Sequence, residues 1–171
     1  MRRVLSIFLP LWPVERVARR LPRAEPRRGR HSSTAVLVVL TAASRQLVEH
    51  ACHVAIRAGV VPGMSLAHAR ALLGNDLTLF TIPHEPNEDQ RRLVVLARWA
   101  ERWSPVVCVD PPDGILIDLT GTEHLFGGEA KMLSRIERSL RRFGLTARLG
   151  IASTVGTAWA VARYEIGRAH V

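Results

Sequence analysis

From residue 87 onward, amphipathic helices and short apolar strands follow one another in an order that few folds can accommodate. Residues 87–103 place Leu93, Leu96, Ala100 and Trp103 at steps of three, four and three, the spacing of one helical face, while Arg91, Arg98 and Arg102 fall elsewhere. Two strands follow, 106–110 and 115–119, separated by the turn Pro111-Pro112-Asp113-Gly114. A second helix over 129–143 carries Leu133, Ile136, Leu140 and Phe143 on an apolar stripe, with Lys131, Arg135, Arg138 and Arg142 on a basic one. Gly144 stops it, 146–151 reads as a strand, and Ser153 or Thr154 caps a final helix. With the apolar run at 3–9 as a first strand, these elements predict an α+β sheet covered by helices on one face.

The intervening stretch reads as a separate lobe. Pro13 opens a short helix through Arg20. Residues 16–30 then hold seven arginines and one glutamate, broken by Pro22, Pro26 and Gly29: a solvated linker, or an arm laid along a phosphate backbone. The β-branched run at 35–40 is a buried strand that 45–53 can pair, with alternation at Leu47, Glu49 and Ala51. Gly59 and Pro62-Gly63 punctuate the chain before a helix capped by Ser65 and stopped by Gly74-Asn75, and 77–82 is another strand. Residues 11–79 form a small insertion, and 1–10 with 80–171 the main sheet.

Composition excludes several classes. At 47% apolar residues the chain is globular, and 171 residues suffice for an ample core. Net charge is +9, and of 24 basic residues Lys131 is the only lysine. Such an arginine bias follows from a GC-rich genome as readily as from nucleic-acid binding. Cys52 and Cys108 lie in apolar runs without ligand spacing and read as buried free thiols; the scattered histidines give no zinc pattern. The start MRRVLSIFLPLW has the charge and apolar run of a signal peptide but no small-residue cleavage site, so a core strand fits it better. No apolar stretch approaches the roughly 18 residues of a membrane span.

Three motifs carry a resemblance that covers nearly the whole chain. Residues 55–80, AIRAGVVPGMSLAHARALLGNDLTLF, are similar to the fingers signature of the Y-family (translesion) DNA polymerases, through Gly59-Val60, Gly63-Met64 and the alanine-spaced helix at 67–71. Residues 116–128, LIDLTGTEHLFGG, resemble that family's Leu-Asp-x-Thr-Gly strand and turn, and 149–163 its Gly-Ile strand and alanine-rich helix. Three such motifs in the family's order imply a polymerase-type palm with a small inserted fingers subdomain.

The chemistry implied by the resemblance is incomplete. Two-metal phosphoryl transfer needs carboxylates holding two cations about 3.5–4 Å apart. In the family these are one Asp on the first strand and an Asp-Glu pair at the hairpin. Counting from Val14-Glu15 puts the first on Ser6; counting from Asp118 and Thr120 puts the pair on Asp113 and Gly114. One carboxylate of three remains, a set too weakly charged for two cations. The family's triphosphate-contacting Tyr and Arg fall on His53 and Ile56, its sugar-screening aromatic on Leu11, and its last-helix lysines on Val155 and Trp159. A shifted register would bring in Asp110 or Glu15 but would break the Leu-Asp-x-Thr-Gly match.

This pattern is similar to a catalytically degenerate, ImuB-like branch of the family, in the bacterial mutasome. That resemblance implies a non-catalytic adaptor in DNA repair and damage-induced (SOS) mutagenesis. Its partners would be DNA, an error-prone replicative-type polymerase, a RecA-like accessory protein and the sliding clamp. It would need no cofactor and be cytoplasmic and nucleoid-associated. Two other readings stay open: an active error-prone translesion polymerase, which would use Mg2+, and a palm-like domain with no nucleic-acid role. The stripe Lys131, Arg135, Arg138 and Arg142 is a candidate DNA contact, or the solvent face of its helix. Residues 165–171, EIGRAHV, carry no core stripe and read like translated sequencing-library adapter. They are expected to be a non-native tail, with the thumb, little finger and clamp-binding peptide lying downstream.

Overall fold

The computed structural model describes residues 2–18, 21, 34–75 and 77–164. Most of the arginine-rich stretch at 16–30 and all of 165–171 lie outside them. The chain divides into two compact units, Met1–Trp12 with Pro86–Val171, and Pro13–Glu85.

The first unit holds β1 (Val4–Phe8), β5 (Val107–Asp110), β6 (Gly114–Asp118) and β7 (Arg148–Ala152), with α4 (Pro86–Ala100), α5 (Glu129–Arg142), α6 (Val155–Tyr164) and a 3-10 turn at Glu123–Phe126. Its sheet has the order β5-β6-β1-β7, every pair antiparallel. Helix and strand alternate as the periodicity predicts, giving a split β-α-β-β-α-β arrangement.

Successive side chains of a strand point to opposite faces, so the register sorts this sheet. Leu5 and Ile7, Ile115 and Ile117, and Ile151 face α4 and α5, meeting Leu93, Leu96, Ala97, Met132, Ile136 and Leu140 in one buried core. Trp12 completes that core, its indole Nε1 donating to the Asp89 carbonyl at 3.0 Å. The alternate residues belong to the other face, where Val4 and Ala152 pack against Ala158 of α6. Thus α4 and α5 cover one face as expected, and α6 covers part of the opposite one. Periodicity could not assign α6 a face, because helix and strand are joined only by Ser153-Thr154. Its start is capped by Thr154, whose Oγ1 accepts from Thr157 N at 3.2 Å.

Cys108 corrects an expectation: it is exposed rather than buried. It lies on the edge strand β5 between Val107 and Val109, which point to the core and leave it the outer face.

The second unit contains α1 (Trp12–Ala18, whose first residue belongs to the other unit), β2 (Thr34–Ala42), β3 (Arg45–Ala51), α2 (His53–Arg57), α3 (Leu66–Leu73) and β4 (Thr78–Pro83). β2 lies centrally, antiparallel to β3 and parallel to β4. Leu37, Val39 and Val48 pack against Ala55, Val60, Leu66, Ala69 and Leu73, while Val36 and Val38 pack against Val14 of α1. Ser65 caps α3 by accepting from His68 N at 3.2 Å. Gly63, at φ +84°, lets the turn donate its N–H to Val48 O at 2.7 Å. The unit extends to Glu85 rather than residue 79, because β4 pairs with β2.

Candidate functional site

The Leu-Asp-x-Thr-Gly segment is built as a structural corner. Asp118 ends β6, and its Oδ1 accepts from Thr120 N at 2.9 Å. The Thr120 hydroxyl accepts from Arg3 N at 3.0 Å, and Leu119 N donates to Arg3 O at 2.8 Å. Hydrogen bonds from the Thr120 hydroxyl and then its N–H hold the Asp118 carboxyl below its ordinary range, with Arg2 adding a smaller share. The Arg3 guanidinium grips both Glu129 oxygens at 2.8 Å, at the start of α5, and that pairing raises its pKa further. The motif therefore fastens the ends of the central strands β6 and β1 to the start of α5.

The positions matched to catalytic carboxylates lie on the α6 side of the sheet. Ser6 sits between Leu116 of β6 and Gly150 of β7. It is 0% exposed, and its Oγ is buried with no hydrogen-bond partner. Gly114 stands opposite Phe8 on β1 and Asp110 on β5. Asp113 closes the turn between β5 and β6, its carbonyl accepting from Leu9 N at 2.8 Å.

At the centre of this region lies a residue that sequence reasoning missed. Arg163, near the end of α6, donates from Nη2 to Asp110 Oδ2 and to Asp113 Oδ1, both at 3.0 Å. Its side chain is only 11% exposed, against 22% and 28% for the two aspartates. The guanidinium lies over the Trp159 ring at 4.3 Å and the Phe8 ring at 4.7 Å, so it is flanked by aromatic faces as well as carboxylates. Arg148 approaches the same Phe8 ring at 5.9 Å and donates to Arg163 O at 3.2 Å.

Gly114 fits this arrangement sterically. A Cβ there would lie 2.8 Å from Asp110 Oδ2 and 3.1 Å from Arg163 Nη2. The space a side chain at 114 would use is filled by the ion pair. Of the other candidates in this unit, Trp159 joins the cluster, Val155 is exposed at the start of α6, and Leu11 is buried just after β1. His53 and Ile56 belong to the second unit, on α2, with Ile56 exposed.

The residues present do not fit a pair of divalent cations. Such a centre needs several free carboxylate oxygens facing one space. Here both nearby aspartates are bonded to a cation of the chain itself, a side chain at 114 would crowd that pair, and Ser6 offers one neutral oxygen. Among the described residues no group of three or more His, Cys, Asp or Glu could hold a metal ion. Position 163 was legible in principle: Val155, Trp159 and Arg163 recur every fourth residue, one stripe of a helix. Which acids that stripe meets is a long-range fact, since the Arg163–Asp110 separation is 53 residues.

The candidate DNA-contact stripe lies on α5. Lys131, Ser134, Arg135 and Arg138 line an open surface depression of about 420 Å³. The stem of Lys131 passes over Gly127, whose absent side chain leaves room for it. Arg142, one turn beyond Arg138, is on the exposed end of the helix.

Comparisons with known proteins agree with this architecture. The profile of the impB/mucB/samB family matches residues 25–163. The chain is 45% identical over 106 residues to protein ImuB of Caulobacter vibrioides (strain NA1000 / CB15N), covering 62% of this chain and 22% of that protein. It is 30% identical over 117 residues to DNA polymerase IV of Caulobacter vibrioides (strain ATCC 19089 / CIP 103742 / CB 15), covering 67% of this chain and 28% of that protein. The chain thus spans about a quarter of the length of these relatives. Its fold is similar to the crystal structure of DinB from Sulfolobus solfataricus, with a TM-score of 0.69 at 15% identity, covering 96% of this chain and 46% of that one.

Proposed function

Because the chain belongs to the impB/mucB/samB family, we propose that it is the palm-and-fingers part of a protein that holds DNA during translesion synthesis without itself adding nucleotides. The observation that carries this reading is the state of the last matched carboxylate. Asp113, the one acid left of the three, is paired with Arg163 at 3.0 Å. An acid already bonded to a guanidinium is a poor ligand for the charge of a triphosphate–metal complex.

Primer extension by the complete protein in Mg2+ tests the reading. No incorporation above background is expected, and Asp113→Ala should leave that result unchanged. Robust incorporation that Asp113→Ala abolishes would instead establish an active translesion polymerase.

DNA would be held in part by the basic stripe of α5. At about 1.5 Å per residue, Lys131 to Arg142 spans about 16 Å. Four cations over that length can follow several phosphates of one strand, spaced about 3.4 Å along the helix axis. Replacing Arg135 and Arg138 together by Ala should weaken DNA binding by the complete protein alike on all sequences. It should also lower the salt slope by about 0.9 for each phosphate that is no longer neutralised. An unchanged slope would make α5 merely a solvated face. If the complete protein does not bind DNA at all, the palm-like domain has no nucleic-acid role.

Recruitment completes the adaptor reading. An error-prone replicative-type polymerase, a RecA-like accessory protein and the sliding clamp are the partners this reading calls for. Co-purification of each with the complete protein, compared in wild type and Asp113→Ala, should give equal capture. Localisation to the nucleoid follows from the same reading. Among the described residues, no helix is long and apolar enough to cross a membrane.

A further inference from the structure

We propose that Arg163 is a built-in cation standing where the palm would otherwise hold divalent ions, so that the site is closed by occupied acids as well as by missing ones. The inference rests on the non-catalytic reading and goes further. Loss of ligands alone would predict that restoring carboxylates at positions 6 and 114 rebuilds an ion site. The geometry points to the opposite result.

Three observations converge. First, one nitrogen, Nη2, bridges two carboxylates from opposite ends of the β5–β6 turn, at 3.0 Å to each. A cation between two acid oxygens is the electrostatic arrangement a metal ion would impose, supplied here covalently by α6. Second, the guanidinium is fixed. Phe8 and Trp159 lie against it, and its other terminal nitrogen, Nη1, is buried with no hydrogen-bond partner. A buried donor left unsatisfied is costly. Its retention fits a side chain held by the two ion pairs and the flanking rings. Third, the glycine at 114 leaves the arrangement uncrowded. A Cβ would press on Asp110 Oδ2 at 2.8 Å and on Asp110 O and Arg163 Nη2 at 3.1 Å. A glutamate there must displace the pair, and the pair resists a glutamate. Residues 114 and 163 therefore form one device on two elements.

Terbium luminescence sensitised by Trp159, with Mn2+ titration followed by EPR, reads ion binding independently of polymerase activity. The complete protein is compared with Arg163→Gln, with Ser6→Asp/Gly114→Glu, and with the triple combination, folding being checked by circular dichroism. The unmodified protein and the double variant should bind ions weakly. Arg163→Gln should bind at least tenfold more tightly than the unmodified protein, with the gain abolished on adding Asp110→Asn. The triple variant should bind more tightly still. Ion binding by the double variant as tight as by the triple would overturn the proposal, as would a folded Arg163→Gln with no gain. If the altered chains do not fold, the unmodified protein decides: Trp159-sensitised terbium binding at submillimolar concentration overturns the proposal, and its absence supports it. Primer extension by an unmodified protein that binds no ion at this pair would overturn the non-catalytic reading alone and leave the internal cation standing.

Discussion

Asp118 and Asp113 are five residues apart and have opposite fates. Asp118 is turned into the corner that Thr120 and Arg3 complete, with Thr120 N bonded to it at 2.9 Å. Its carboxyl is held below the ordinary value of 3.8, so the folded state binds that proton less readily than the unfolded chain. The stability this contributes is fully present above the unfolded value and is lost as pH falls through the folded one. Urea unfolding of Asp118→Asn should show a deficit against wild type at pH 6 that shrinks progressively below about pH 4. A deficit independent of pH would assign the role of Asp118 to neutral hydrogen bonding. Asp113, by contrast, pairs through its carboxylate with Arg163 across 50 residues.

At the scale of elements, α6 is docked by the absence of a side chain. A Cβ at Gly150 would press against the backbone at Ala158 O and Ala162 N, and neither atom can swing away. This close approach brings Ala158 and Val4 together and carries Arg163 to the turn after β5. Gly150→Ala should therefore destabilise the first unit by about 1–3 kcal/mol, the usual cost of overpacking. It should also weaken the Arg163 pairing, visible as faster amide exchange at Asp110, Asp113 and Gly114. A neutral Gly150→Ala would mean that α6 rides further from the sheet.

Across the whole molecule, two cores are built on different strands. Leu5, Ile7, Ile115 and Ile117 serve one unit, and Leu37, Val39 and Val48 the other. Leu37, fully buried on the central strand β2, is the sharpest probe of the second. Leu37→Ala should cost about 2–5 kcal/mol. Hydrogen exchange should then quicken over residues 34–85 and much less over β1, β6 and β7. Equal loss of protection in both units would show that they unfold as one.

Much of this was readable along the chain because its causes are local. The stripe Leu93, Leu96, Ala100 and Trp103, the cap at Ser65 and the turn before Gly114 each depend on neighbours a few residues away. The alternation expected at Leu47, Glu49 and Ala51 did not hold: β3 buries Val48 and Ala51, because the β2–β3 register shifts between Val38 and Val39. The order of those elements then implied the α+β class, and three ordered motifs implied the family. That Ser6 and Gly114 stand at two positions the resemblance matches to carboxylates was equally a matter of residue identity. What the tertiary structure alone decided are meetings across long separations. Strand register put Cys108 on the outer face, and the close approach at Gly150 put α6 opposite α4 and α5. That placement delivers Arg163 to Asp110 and Asp113 across 53 and 50 residues. No periodicity encodes such a pairing, because an arginine on a helix and two aspartates beside a turn are each ordinary until the sheet brings them together.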